Sequence, residues 1–363
     1  MSKWFTSRRS LHDAHLSGDG EIRVVSHSWF ASGSDVVSCA RVAFRDCLRI
    51  GNVAGLHDGD VVKIFPAGRI FRLWDVESFH NCIFVTGACN FRCWMCPQPP
   101  VVDNPAQHEE NLRILGLLRP EYVKMIGITG GEPTLFTSRL VDYYNVINRK
   151  FPSARVEVLT NGSLLSDFNR AKQLALAAPY DICYCVSLHG DTADLAESVM
   201  RTPGGWDKAV QGVMNLARLQ QEVELRFVLT KHNVRYVKDV ALFFYRNFPF
   251  VAHIAFMGQE IIGDAEGNLK EVWVEPKEYV QDLAEAVLFL ASVGMNVSIY
   301  NLPLCLLPEN VRRFAARSIS DWKQGYRSEC EGCQERSSCC GFFTTSRDFV
   351  PKGIKPIKQK EQK

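Results

Sequence analysis

Three cysteines, Cys89, Cys93 and Cys96, fall within eight residues of GACNFRCWMCPQPP, with the spacing C-x3-C-x2-C. Three thiolates on so short a loop can wrap one inorganic cluster, and cysteine thiolate is the usual ligand of iron-sulfur centres. Three is one fewer than saturates a four-iron cube, and an open coordination position separates catalytic metals from structural ones. On the triplet alone, a structural zinc loop with a distant fourth ligand remains the alternative. A second group stands in LPLCLLP at 302–308 and SECEGCQERSSCCGFF at 328–343, which supply Cys305, Cys330, Cys333 and Cys339. Four thiolates serve a fully ligated iron-sulfur cluster or a four-cysteine zinc site, since both use the same donors. Cys340 competes with Cys339; Cys339 is preferred because the Gly-containing turn CGFF follows it. Outside the clusters near residues 90 and 335 the other six of the thirteen cysteines, Cys305 among them, are scattered, which for most of them is the pattern of small buried core residues.

The elements that must position these loops begin at residue 82. Apolar runs at 82–87 (CIFVTG), 123–128, 155–160, 181–187, 222–229 and 251–257 read as strands, with helical stretches such as 138–149, 206–219 and 234–247 between them. Six β/α repeats imply an α/β fold with a parallel sheet, because each return to a parallel strand needs a long crossover. Active sites of such sheets gather at the carboxyl ends of the strands. A helix at about 276–293 and a possible strand, MNVSIY, follow. The first eighty residues read instead as short strands, such as 21–25 and 61–65, separated by the turns HDGD and PAGR. The expected domains are a β-rich appendage at 1–79, a β/α domain at 80–294, a Cys-rich segment at 295–346 and a basic disordered tail at 347–363. KGIKPIKQKEQK has five lysines, one glutamate and almost no apolar content.

The 363 residues are 46% hydrophobic and 23% charged, as in ordinary soluble proteins, which excludes disorder, collagen and fibre. Lys and Arg number 42 against 40 Asp and Glu, a balance unsuited to bulk nucleic acid or an anionic membrane as main partner. No apolar run approaches the roughly 18 residues of a membrane span, and MSKWFTSRRSLHD lacks a secretory apolar stretch. A cytoplasmic protein with reduced thiols is expected, which favours metal ligation over disulfides.

The second strand runs into Ile128-Thr129-Gly130-Gly131-Glu132-Pro133-Thr134, where paired glycines let the backbone approach a ligand closely. There Glu132 and nearby backbone carbonyls can accept hydrogen bonds from a cationic amine. By itself GGEP is also a tight strand-to-helix turn. Together, C-x3-C-x2-C after strand one and GGEP after strand two resemble the radical S-adenosylmethionine (SAM) superfamily over about residues 80–260. The resemblance implies a partial (β/α)6 barrel in which Cys89, Cys93 and Cys96 hold a [4Fe-4S] cluster whose fourth iron is chelated by SAM. Reductive cleavage of SAM, with an electron from an external donor, then gives a 5'-deoxyadenosyl radical that abstracts hydrogen from the substrate. It also implies that Gly130, Gly131, Glu132 and Pro133 receive the SAM amine and that Met95 lies near the adenine. Ser187, ending strand four in CVSLHG, and Arg201 match positions that contact ribose or carboxylate; a strand-end Ser also caps turns, and a lone Arg is commonly a surface residue. Asn161 in LTNG is similarly placed, although Asn-Gly is first a turn signal.

Behind such a domain the second cysteine group resembles the auxiliary-cluster extensions of the SPASM and Twitch type, which favours iron-sulfur over zinc. CWMCPQPP, IGITGGEPTL, SLHGDTADL, NLPLCLLPENVRRFAARSISDWK and CEGC followed by CCGFF resemble the His-Xaa-Ser system radical SAM maturases of the HxsC type over most of the chain. This implies a ribosomally made peptide or protein with His-Xaa-Ser repeats as substrate and a second radical SAM maturase as partner. Cys340 departs from that pattern, where a small non-ligand residue is expected, and leaves the choice between Cys339 and Cys340 open. The alternatives are a radical SAM enzyme acting on a small metabolite or folded protein, and a non-catalytic metal-binding scaffold. No acid, base or nucleophile can be chosen, since His80, His189 and His253 are individually as suited to structural roles, and the bond made in the substrate is open.

Overall fold

A computed structural model describes residues 20–26, 36–38, 48–49, 55–66, 69–346 and 349–358. Cys39, Cys47 and the end of the expected tail, 359–363, lie outside the described residues. The chain divides into two units, one of residues 1–89, 101–159 and 176–182, the other of 90–100, 160–175 and 183–363.

In the first unit β1 (Glu21–Ser26), β2 (Val36–Ser38), β3 (Leu48–Arg49), β4 (Val61–Ile64) and β5 (Ile70–Trp74) form a sheet in the order β3-β2-β1-β4-β5. β4 is antiparallel to both of its neighbours. Val25, Leu56, Val62 and Ile70 make its apolar core. Asp60 is buried beside them and accepts the backbone N–H groups of His57 and Val76, each at 2.9 Å. The ligand atoms of His57, Asp60 and Asp75 lie within 4.8 Å of one another, but the Arg72 guanidinium stands 3.2 Å from Asp60 and pairs with Asp75, so the anionic pair has its cation. Lys63, fully buried, is matched by Glu110.

The same unit holds three parallel strands, β6 (Cys82–Phe84), β7 (Met125–Thr129) and β8 (Arg155–Thr160), with α1 (Ala106–Leu117) and α2 (Thr137–Lys150) as crossovers. Leu140, Tyr143, Tyr144 and Ile147 are buried at the i, i+3, i+4, i+7 spacing that gives α2 one apolar face. β8 buries Val156 and Val158 alternately, as a strand's two-residue period requires.

α3 (Phe168–Ala177) leads to the second unit's four parallel strands, β9 (Ile182–Ser187), β10 (Glu222–Val228), β11 (His253–Met257) and β12 (Val297–Tyr300). β12 falls within MNVSIY, so the β/α part has seven strands rather than six. α4 (Ala193–Met200), α5 (Gly205–Arg218), α6 (Val237–Asn247) and α9 (Val280–Ser292) connect them, with the short helices α7 (Asp264–Gly267) and α8 (Leu269–Val272) after β11. Phe227 of β10 and Phe256 of β11 pack at 5.7 Å, and Phe244 and Phe248 meet at 6.3 Å at the end of α6. β13 (Gln324–Gly325) and β14 (Phe342–Phe343) make a small antiparallel ribbon in the Cys-rich segment.

The expectation of a disordered tail over 347–363 is corrected for its described part. Phe349 packs edge-on against Trp273 at 4.5 Å, Lys352 N–H donates to Glu275, and Gln334 N–H donates to the Ile357 carbonyl. Isolated aromatic and main-chain contacts of this kind hold a segment whose composition alone cannot build a core.

Candidate active site

In the first unit the glycine turn lies against the chain that leads into Cys89. Gly131 N–H donates to the Thr86 carbonyl at 2.7 Å and Glu132 N–H to the Ala88 carbonyl at 2.8 Å. A Cβ on Gly131 would stand 2.2 Å from the Ala88 oxygen, and one on Gly130 would stand 2.6 Å from the Thr86 oxygen. Only glycine permits this approach. The Glu132 side chain is fully buried, and its Oε1 accepts Thr134 N–H at 3.0 Å and the Thr134 hydroxyl at 2.5 Å. Glu132 thereby caps the short helix at Pro133–Phe136. The loop's exit is clamped by Asp103, which accepts the Thr86 hydroxyl at 2.6 Å and pairs with Arg139 at 2.7 Å. That pair holds the Asp103 carboxyl below its ordinary pKa.

In the second unit, Arg92 and Trp94 donate N–H bonds to the carbonyls of Met200 and Val199 at 3.2 and 3.1 Å, which pins the stretch bearing Cys93 and Cys96 to the end of α4. Arg201, in the left-handed conformation that ends α4, lays its guanidinium over the Trp94 ring at 3.9 Å. Arg201 is exposed, and its stack falls on the residue that follows Cys93. Met95 is buried with Val199, Ile261, Ala265 and Val272, and Cys93 and Trp94 pack against that cluster. The Cys96 carbonyl accepts Asp264 N–H at 2.9 Å. Asn161 makes the expected turn by accepting Ser163 N–H, and its amide also donates to Asn90 at 2.9 Å. Asn90 donates in turn to Ser163 at 2.8 Å. Asn90 ties the start of the cysteine loop to the Asn161 turn, which motif reading missed; its place between Cys89 and Cys93 was the available signal. Ser187 stands at the carboxyl end of β9.

The histidines resolve differently. His189 is fully buried, which pushes its pKa down to about 4, and its Nδ1 accepts Val228 N–H at 3.4 Å. His253, at the amino end of β11, is held between Glu224 at 2.8 Å and Ser298 at 2.9 Å. Burial opposes ionisation of Glu224, but the bonds to His253 and the Arg226 charge outweigh it and carry the pKa down to about 2.

Within the Cys-rich segment, Cys339 Sγ accepts N–H bonds from Leu304 at 3.4 Å and Gly341 at 3.5 Å, which brings it beside the neighbour of Cys305. Cys333 Sγ accepts Ile357 N–H at 3.3 Å. A hydrogen bond with Cys340 and these two backbone donors draw the Cys339 pKa down to about 6. Cys340 is instead buried with Ile319 and Phe343, and its thiol is pushed well up by the bond with Cys339 and by burial. Burial also raises Cys305.

The donors fit the groups that the sequence implies. Cys89, Cys93 and Cys96 are half-buried thiols, and in the first unit Gly130 and Gly131 let the turn pack directly on the Thr86 and Ala88 backbone that leads into Cys89. Three thiolates suit an iron-sulfur cube with one iron open to a small ligand.

A model of the Radical SAM superfamily matches residues 83–244. No curated protein matches the chain. Among solved structures, Streptococcus suis SuiB bound to S-adenosylmethionine is similar at 16% identity and TM-score 0.47, covering 60% of this chain and 49% of SuiB. Native anSMEcpe with bound AdoMet and the Cp18Cys peptide is 18% identical, with TM-score 0.46, covering 60% of this chain and 62% of that one. A radical SAM methyltransferase from Sphaerobacter thermophilus is 14% identical, with TM-score 0.40, covering 66% and 68%. The chain thus spans about half the length of SuiB. The match to the Radical SAM superfamily model lies over the cysteine triplet and the glycine turn; enzymes of that superfamily work with a [4Fe-4S] cluster and S-adenosylmethionine.

Proposed function

We propose that the chain is a peptide maturase: it reductively cleaves SAM and modifies a ribosomally synthesised peptide or protein carrying His-Xaa-Ser repeats. The observation that carries the enzymatic reading is the main-chain bond from Glu132 N–H to the Ala88 carbonyl, which sets the glycine turn against the residue preceding Cys89. Cys89, Cys93 and Cys96 hold the cluster, Gly130 to Pro133 offer main-chain acceptors to the SAM amine, and Met95 contributes apolar surface near the adenine. Ser187 and Arg201 are assigned to ribose and carboxylate, Arg201 being supported by its stack on Trp94. When bound, cluster and SAM supply a 5'-deoxyadenosyl radical that takes hydrogen from the substrate; the protein orients the partners and excludes water.

Cys305, Cys330, Cys333 and Cys339 are assigned to an auxiliary iron-sulfur cluster in a SPASM/Twitch-like segment. N–H bonds aimed at the sulfurs of Cys333 and Cys339 support this, because such bonds tune cluster potentials. They also favour Cys339 over the core-packed Cys340. The His-Xaa-Ser substrate and a second radical SAM maturase as partner rest on the sequence resemblance.

Anaerobic co-expression with a His-Xaa-Ser repeat peptide tests the reading by mass spectrometry. A changed peptide mass is expected. Formation of 5'-deoxyadenosine with an unchanged peptide would point to a small metabolite or folded protein. Zinc in place of iron, with no 5'-deoxyadenosine, would leave a metal-binding scaffold.

A further inference from the structure

Within the second unit the chain beyond the second cysteine group returns to it as a strap, residues 349–358, none of which is buried. At one end Phe349 packs on Trp273 and against the apolar cluster of Met95, Val199 and Ile261, the same cluster against which Cys93 and Trp94 pack. Midway, Lys352 N–H donates to Glu275 at 3.0 Å. At the other end two backbone donors meet sulfur: Lys355 N–H bonds to Cys305 Sγ, and Ile357 N–H bonds to Cys333 Sγ at 3.3 Å. The strap therefore joins thiols from both parts of the second group, LPLCLLP and CEGC. The Ile357 carbonyl accepts Gln334 N–H at 3.0 Å.

Apolar burial cannot hold a segment with no buried side chain, so the order of the strap depends on these few bonds. A neutral thiol is a weak acceptor. A metal-bound thiol is deprotonated, and hydrogen bonds to an ionised acceptor are roughly twice as strong as neutral ones. Charge points the same way. Residues 349–358 carry Lys352, Lys355 and Lys358 and no acid, while four thiolates leave either a zinc site or an iron-sulfur cube anionic.

We propose that residues 349–358 form the outer wall of the second metal site. Lys355 and Ile357 are positioning residues that hold Cys305 and Cys333 through their N–H groups, and metal loading in turn seats the strap, with Phe349 on the cluster that Cys93 also touches. This rests on the reading that the second cysteine group binds metal.

The test is the rate of trypsin cleavage after Lys352 in the full chain, read by mass spectrometry with cleavage elsewhere in the chain as reference. Cleavage of the anaerobically reconstituted wild type is expected to be at least about tenfold slower than that of the metal-free protein. Reconstituted Cys333→Ala, which keeps the first cysteine group, is expected to be cut as fast as the metal-free protein. Ile357→Pro, which removes one N–H, is expected to lose the second metal to a chelator at least about tenfold faster than wild type, the usual scale for a lost partner of a metal ligand. Ile357→Val keeps the N–H and is expected to match wild type. Should Ile357→Pro fail to fold, Lys355→Pro gives the same measurement at Cys305. Equal cleavage of loaded and metal-free wild type, protection retained in Cys333→Ala, wild-type metal retention in the proline variant that folds, metal loss from Ile357→Val as fast as from Ile357→Pro, or no metal at the second group would overturn the proposal. Failure of the auxiliary iron-sulfur reading is separate: it shows as zinc at the second group, with the strap still protected.

Discussion

Gly131 and His189 show how far single residues reach. A methyl group on Gly131 has nowhere to go, because the obstacle at 2.2 Å is a backbone carbonyl of the segment that leads into Cys89. Gly131→Ala is expected to lower stability by about 1–3 kcal/mol, the usual range for overpacking, and to weaken SAM binding by at least about tenfold; denaturant titration and isothermal calorimetry check the two effects. Wild-type affinity in a destabilised Gly131→Ala would separate the turn from the SAM site. His189 is buried neutral, with its pKa drawn down to about 4 from 6.5. The unfolded chain therefore takes up a proton that the folded one refuses. Stability is full above about pH 6.5 and falls by about 3 kcal/mol as pH drops toward 4. His189→Gln is expected to remove that slope in thermal melts between pH 4 and 7, and an unchanged slope would contradict the assignment. At this scale the cysteine spacing and the paired glycines were legible because their residue types and positions stand in the sequence itself. The roles of Glu132 and Asn90 were not, because capping and loop-tying depend on which backbone groups arrive nearby.

Elements were read well where a period existed. The three-to-four spacing in α2 and α6 and the Val-rich runs of β8 and β10 place these elements within a few residues of their sequence ranges. β6 stops at Phe84 although the apolar run continues to Gly87. There the chain leaves the strand to carry the cysteine loop, with Val85 N–H still bonded to Thr129 and the Gly87 carbonyl taken by Val101. The Cys-rich segment has no period at all. Its order comes from short turns, the β13–β14 ribbon and the return of residues 349–358, none of which composition announces. Cys333→Ala removes the sulfur that Ile357 N–H addresses. It is expected to lower iron per chain and to stop the mass change of the peptide while 5'-deoxyadenosine still forms. Full iron and undiminished product would make the second thiol group dispensable.

For the whole molecule, the parallel β/α pattern was visible because crossover chemistry forces it. The distribution of the chain between two units was not, since residues 90–100 belong to the second unit while their sequence neighbours on both sides belong to the first. No helix among the described residues is long and apolar enough to cross a membrane. The account stands on three thiolates leaving one iron open to SAM. The most direct measurement is electron paramagnetic resonance of the anaerobically reconstituted, reduced protein with and without SAM, with Cys93→Ala as comparison. A change in the cluster signal on adding SAM, absent from Cys93→Ala, is the result predicted here; a wild-type spectrum indifferent to SAM would contradict it.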